Sequence, residues 1–262
     1  MKKLKPYISL MRLNYQVNFI EVIAGVIFVS PLSSLPFSTI FLKVLLLFFC
    51  FGILYGGIYT LNDIADIEED KKDRRKKLRA LPSGKISIRN ALTYSIFLMI
   101  LGISLAFLLL SGIVGEIFLL FLIINLFYTF LFKRIAFVEL LVNCLTHPLR
   151  LVLGASLFGG SIPLLFLLGV YFVTTGFGLK IRLIMMENDG VVSRPSLHYY
   201  TESRITILKF LFIILIIVST LFDGKTDVGW YIFLLFLYMM FVLDLPFFAF
   251  FGKLFRRVYI GR

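Results

Sequence analysis

The sequence has 262 residues, 60% of them hydrophobic and 16% charged, with a mean hydropathy of +0.96. A soluble domain averages about half apolar and about a quarter charged, so the composition excludes a soluble globular chain and predicts one built inside a membrane. The net charge of +12 would suit nucleic acid, but its placement excludes that partner, because the charge collects in the loops between apolar blocks.

Eight apolar stretches follow one another, at about 13–31, 38–61, 91–110, 113–132, 136–158, 163–181, 206–222 and 228–250. They approach or exceed the roughly 18–20 residues a helix needs to cross a bilayer core. The first lacks a small-residue cleavage site and leads directly into the second, so no cleavable signal peptide is expected. Cys50 and Cys144 both fall within spans, which predicts neither a disulfide framework nor a metal site. With the N-terminus inside, every Lys and Arg except Lys43, Arg150 and Lys225 lies on one side. That is the positive-inside pattern, with added attraction to anionic lipid. It predicts an integral protein of a prokaryotic cell membrane, with N-terminus and long loops cytoplasmic.

The fold class expected is all-α, a polytopic helical bundle forming one transmembrane domain over residues 1–262. Outer loops are short, at 31–36 and 159–163. Two cytoplasmic segments, about 62–90 and 182–205, are longer and more polar. Each follows an even-numbered span, a layout that suggests two related halves with a functional loop apiece.

The first of these segments opens on Asn62-Asp63-x-x-Asp66-x-x-x-Asp70. At 3.6 residues per turn, Asn62, Asp66 and Asp70 fall along one side of a helix continuing span two, with Asp63 beside them. Several carboxylates gathered together repel unless a cation joins them. Hard divalent ions take oxygen ligands and share them with substrate phosphates. The pattern therefore reads as a Mg²⁺–diphosphate site, with Asp63, Asp66 and Asp70 as metal ligands. The following basic run, which includes Lys76 and Arg79, is suited to phosphate oxygens. The plainer alternative is a solvated interfacial loop.

Span five carries Glu139, Asn143, Thr146 and Arg150 at spacings of four, three and four, one stripe along a helix. Charges at membrane depth usually face a bundle interior or a wet cavity. Glu139 and Arg150 are three turns apart, so each needs another partner: a phosphate for Arg150, a sugar hydroxyl or basic side chain for Glu139. Interhelical salt bridges are the competing reading. Glu21 and His147 read as structural, and Asp244 before Pro246 as a helix-end feature.

The run Asn62-Asp63-Ile-Ala-Asp66-Ile-Glu-Glu-Asp70, followed by Arg79-Ala-Leu-Pro82-Ser83-Gly84, resembles the first signature of the UbiA superfamily of intramembrane prenyltransferases. Ala80 stands where that signature usually has proline. The resemblance implies a helical barrel with a lipid-open cavity, nine spans, Mg²⁺ dependence and a second aspartate-rich motif after span six. Here that second region reads Lys180-Ile-Arg182-Leu-Ile-Met-Met-Glu187-Asn188-Asp189. Glu187 and Asp189 are remnants at altered spacing, preceded by two cations. Only eight spans are visible, so the ninth is either absent or hidden in Phe247–Ile260.

Glu68, Lys76, Val138-Glu139 with Arg150, and Arg194-Pro-Ser-Leu197-x-x-Tyr200-Thr201 resemble the polyprenyl-phosphate phosphoribosyltransferase branch. That branch usually has His-Pro where Asp73-Arg74 stands. It implies transfer of 5-phosphoribosyl from phosphoribosyl diphosphate to a polyprenyl phosphate. Asp63, Asp66 and Asp70 would then hold Mg²⁺ on the leaving diphosphate, while Arg79, Lys180 or Arg194 would hold the 5-phosphate, with Asn62, Arg182 and Tyr200 as further contacts. The alternative enzyme is a prenyltransferase moving a prenyl group from its diphosphate to an aromatic or hydroxyl acceptor. A transporter or lipid-binding scaffold is the non-enzymatic alternative. Transport predicts polar residues along several spans and broken helices at the midplane, whereas only span five has a stripe.

Overall fold

The computed structural model describes residues 5–29, 35–74, 76–189, 195–224 and 226–243, without the side chains of residues 14, 15, 187–189 and 195. Every described element is helical. The short α1 (Lys5–Leu10) and a 3-10 turn (Leu13–Asn18) lead into α2 (Phe19–Phe28). Then come α3 (Phe37–Ala65), α4 (Ile67–Lys72), a 3-10 turn at Lys76–Leu78, α5 (Ile88–Leu109) and α6 (Gly112–Phe127), the last ending in a π turn at Tyr128–Phe132. After α7 (Val138–Cys144) and α8 (Thr146–Ser156) the chain runs through α9 (Leu164–Asp189), a 3-10 turn (Pro195–Tyr199), α10 (Glu202–Phe222) and α11 (Val228–Phe241).

Six helical stretches are long and apolar enough to cross a membrane: 37–65, 88–109, 112–132, 138–156, 164–186 and 202–222. The first and last of the eight expected spans correspond to shorter apolar helices, Gln16–Phe28 and Val228–Phe241. The end of the eighth, with Asp244 and Pro246, lies outside the described residues, as does the segment 247–260 in which a ninth was sought.

The chain divides into two compact units, residues 1–131 with 149–161, and residues 132–148 with 162–262. In the first, α3 and α5 form the most extensive helix pair. They approach closely because Gly57 on α3 and Gly102 on α5 carry no side chain where each meets the facing helix. A Cβ on Gly57 would stand 2.8 Å from the Ser95 carbonyl oxygen, and one on Gly102 would stand 2.8 Å from the Leu54 nitrogen. The Ser95 hydroxyl crosses the same contact, donating to the Gly57 carbonyl at 2.7 Å. Small residues and a hydroxyl at such a seam are how membrane helices pack where lipid competes equally for apolar surface. Around it Phe51, Tyr55, Phe118 and Phe121 form a buried aromatic cluster with ring centres 4.4–6.3 Å apart. Gly25 of α2 and Gly154 of α8 make a still tighter approach, with an added Cβ only 2.1 and 1.9 Å from backbone oxygens.

In the second unit α9 packs on α7, α10 and α11. Tyr231 and Tyr238 are buried from α11. The Tyr238 hydroxyl donates to the Lys209 carbonyl at 2.7 Å, and an edge-on contact joins Tyr231 to Phe166. Caps fit the sequence: Ser87 starts α5, Ser111 starts α6 and Asp227 starts α11, each accepting a first-turn N–H.

Candidate active site

The acidic cluster forms where α3 meets α4. Asp66 takes φ −94° and ψ 0° between the two helices, yet the helical register survives. Asp66 N–H donates to the Asn62 carbonyl at 3.0 Å, and Asp70 N–H to the Asp66 carbonyl at 2.8 Å. The expectation that these residues line one side of a continued helix therefore holds, with a joint in the middle.

Asp63 and Asp70 are buried, at 4% and 3% exposure. Burying a carboxylate is costly unless it is paired, and both are. Arg12 donates a guanidinium hydrogen bond to Asp63. Arg79 Nη1 lies 2.7 Å from Asp70 Oδ2 and 3.8 Å from Asp63 Oδ1, so one nitrogen answers two acids seven positions apart. Lys76 Nζ stands 4.0 Å from Asp70 and 3.8 Å from Asp73. Asn62 accepts a hydrogen bond from Thr129 in the π turn. Glu68, exposed on the far side, is held below the usual carboxylate range by its hydrogen bond from Lys71.

Local sequence explains how Arg79 is aimed. Leu81-Pro-Ser-Gly84 closes a turn, with Gly84 at φ +74° and its N–H donating to the Leu81 carbonyl at 3.0 Å. Ala80, Leu81 and Ile86 then bury against Leu10 and Ala91 in a small apolar cluster. Arg12 is set with comparable care. Its backbone is left-handed (φ 47°, ψ 51°), a costly conformation for a residue with a Cβ, and its guanidinium also sits 5.9 Å above the Tyr59 ring.

Among the described residues, no three His, Cys, Asp or Glu side chains come together as a metal cage, and the three aspartates do not converge as one group. Asp66 is half-buried at the joint. Magnesium is usually held by one or two carboxylates plus substrate phosphates rather than by an all-protein cage. Asp63 and Asp70 supply two oxygen donors around one cationic atom, so the donor set fits that ion.

The second unit holds a separate buried network. Arg182 donates from Nε and Nη2 to Glu139 Oε1 and Oε2 at 2.6 and 2.7 Å. The Tyr200 hydroxyl donates to the same carboxylate at 3.0 Å and accepts from Phe137 N–H at 3.0 Å. Burial, then the adjacent carboxylate, pushes the Tyr200 phenol well above its ordinary range. Phe137 pays for the arrangement with φ +62° at the start of α7. Lys180 is buried close by in sequence on α9. The helix reaches Asp189, but the Glu187 and Asp189 side chains and the whole of Arg194 lie outside the described residues.

In span five, Leu145 marks a turn between α7 and α8 but keeps helical angles (φ −59°, ψ −26°), within one apolar helical stretch over 138–156. Glu139 and Arg150 belong to different compact units. Arg150 is 4% exposed, donates to Glu21 at 2.8 Å and to the Tyr55 hydroxyl at 3.1 Å, and lies 5.4 Å above the Tyr55 ring. Glu21, read as a structural residue, is the partner of Arg150. Arg12, read from sequence only as topology charge, is the residue missed. The only sequence signal for it was a cation just before the first span.

The chain matches the model of the UbiA prenyltransferase family over residues 19–260. A digeranylgeranylglyceryl phosphate synthase of Sulfurisphaera tokodaii is 30% identical over 224 residues, 82% of this chain and 77% of that one. A decaprenyl-phosphate phosphoribosyltransferase of Corynebacterium glutamicum is 28% identical over 167 residues, 62% and 48% of the two chains. Other curated relatives match over 24–55% of their own length, less than two thirds in each. The structure of a UbiA homolog from Archaeoglobus fulgidus bound to GPP and Mg²⁺ superposes with a TM-score of 0.73 at 16% identity, over 98% of this chain and 97% of that one. That likeness establishes the fold, and with the family match it shows that this integral membrane chain belongs to the UbiA prenyltransferase family.

Proposed function

We propose that the chain is a Mg²⁺-dependent intramembrane transferase acting on a polyprenyl lipid, with the acidic cluster holding the diphosphate leaving group of an activated co-substrate. The observation that carries this reading is the pairing of buried Asp63 and Asp70 with Arg79, flanked by Arg12 and Lys76. Acids for a hard cation and cations for phosphate oxygens stand in one cluster. Asp63, Asp66 and Asp70 would hold Mg²⁺, which supplies neutralisation of the charge that builds on a departing diphosphate. Arg12, Arg79 and Lys76 grip its oxygens and Asn62 orients the cluster through Thr129. These fixed charges act where charge develops, the largest contribution available to such a reaction.

The reaction favoured is transfer of 5-phosphoribosyl from phosphoribosyl diphosphate to a polyprenyl phosphate. A lipid phosphate oxygen forms a bond to the anomeric carbon as the carbon–oxygen bond to diphosphate breaks, and the diphosphate leaves with the electron pair. Lys76 beside Asp70 supports this branch, as do the buried cations Lys180 and Arg182 in the region where an aspartate-rich twin would stand. Arg79, Lys180 or Arg194 is the residue proposed for the 5-phosphate. Arg182 is occupied by Glu139 and Tyr200 within the second unit, and Arg150 by Glu21 within the first, so each pair is proposed as a support of its own unit.

Prenyl transfer from a prenyl diphosphate is the second reading. The similarity to a digeranylgeranylglyceryl phosphate synthase over 82% of the chain favours it. The test uses membranes containing the protein, Mg²⁺, and either phosphoribosyl diphosphate with polyprenyl phosphate, or a labelled prenyl diphosphate with glyceryl-phosphate lipid and aromatic acceptors. Product from the first mixture supports the favoured branch; product only from the second replaces it. Asp66→Asn is expected to abolish turnover, and full activity in that variant overturns the metal-site assignment.

A further inference from the structure

Between α7, α9 and α10 lies a groove of about 500 Å³, walled by Leu141, Thr175, Leu179, Ile207 and Leu211, with the apolar stem of Arg204 also in its lining. None of these residues takes part in the acidic cluster. The groove is apolar throughout, since the Thr175 hydroxyl donates back to the Tyr171 carbonyl at 2.6 Å and leaves its methyl group to the wall. Its rim is exposed: Ile207 is 68%, Leu211 44% and Leu141 38% accessible. Ile207 and Leu211 also belong to a stripe of exposed apolar side chains continuing through Ile214, Ile217 and Leu221 along α10. On a 21-residue helix of mean hydropathy 2.7, such a stripe is a surface for hydrocarbon. On α9, Lys180 sits roughly 100–140° around the helix from Leu179 and Thr175, at about 100° per residue. Lys180 thus lies on a different side of α9 from the groove, whereas Arg182 lies on the groove's side and is engaged by Glu139.

Arg204 marks the headgroup end. It lies in the first turn of α10, on the basic face of the protein, and is exposed. One of its five N–H donors reaches the Tyr199 carbonyl at 3.3 Å, leaving the rest of the fork for an anion. Glu202 is two positions away and so on roughly the opposite side of the helix, where it does not oppose a negative ligand. An apolar slot with a guanidinium at the membrane surface is complementary to one molecule type, a lipid with a chain to bury and a phosphate to pair.

We propose that this groove is a binding site for an anionic phospholipid of the surrounding leaflet, one acyl chain lying along α10 and the phosphate on Arg204. A single basic side chain near an anionic membrane surface favours the charged lipid by about fivefold, and that selectivity is the measurable signature.

The test reconstitutes the full chain in phosphatidylcholine vesicles. Trp230, the one tryptophan, is changed to Phe, and Leu211→Trp places a reporter on the rim. Lipids with brominated chains are then titrated. Brominated phosphatidylglycerol is expected to quench at about a fivefold lower mole fraction than brominated phosphatidylcholine. Arg204→Gln should erase the difference and Arg204→Lys should keep most of it. Phe222→Trp, at the far end of α10, should show no preference. Equal quenching by the two lipids, an unchanged preference in Arg204→Gln, or the same preference at position 222 each overturns the proposal. Ile207→Trp gives the same reading should the Leu211 variant fold poorly.

Discussion

Buried charge explains most of what individual residues do in this protein. Glu139 is fully buried and satisfied by Arg182 and Tyr200. Removing one partner from such a group strands the other, at a cost of about 3–5 kcal/mol, whereas replacing both by apolar groups is often neutral. Glu139→Gln should therefore lower thermal stability in detergent sharply, and Glu139→Met with Arg182→Met should recover most of the loss. A double variant as unstable as the single one would show that the pair does more than satisfy itself. At the acidic cluster, Arg12→Gln removes the nearest cation from Asp63. It is expected to reduce turnover about 10²-fold and, since Asp63 then keeps only Arg79 at 3.8 Å among the described cations, to lower the unfolding temperature as well. Arg12→Lys, which keeps the charge, should recover more of the melting temperature than of the turnover, which paired activity and melting measurements would check. These residues also show what the sequence discloses. Asn62, Asp66 and Asp70 were legible because helical spacing alone brings them together. The Arg12–Asp63 and Glu21–Arg150 contacts span 51 and 129 positions, and no local period records a contact of that kind.

Secondary structure was legible wherever an apolar run is long, and less so where a run is broken by geometry instead of composition. Spans three to seven fall within a few residues of their expected places. The joint at Asp66 was not foreseen, because it contains no Gly or Pro, whereas the one at Leu145 had a signal in Pro148, whose ring nitrogen cannot donate to the carbonyl four residues back. The closest approach between elements, α2 against α8, depends on Gly25 and Gly154. A side chain at either site has to displace a backbone carbonyl, so Gly154→Leu is expected to cost more than the 1–3 kcal/mol typical of overpacking. The loss should appear as a lower folded yield from membranes. Gly112→Leu, where an added Cβ meets nothing, should be tolerated.

For the whole molecule, the expectation from charge placement is that the acidic cluster faces the cytoplasm, and labelling tests that expectation cleanly. Cys50 and Cys144 are both buried, so background reaction with a membrane-impermeant maleimide should be low. Lys72→Cys, exposed next to the cluster, should react in inside-out vesicles and stay protected in right-side-out ones. Gly224→Cys, exposed between α10 and α11, should do the opposite. Reversed labelling of the pair would turn the topology over.

The glycine contacts have a consequence for how this protein is screened. In a library of random substitutions scored by product alone, positions 25 and 154 will be as intolerant as Asp63 or Asp70. They lie within membrane helices and carry no side chain to react with anything. A map of essential positions would thus mix helices that cannot close with a site that cannot bind. Scoring the amount of folded protein beside the product separates the two: the aspartate variants should accumulate without working, and the glycine variants should fail to accumulate.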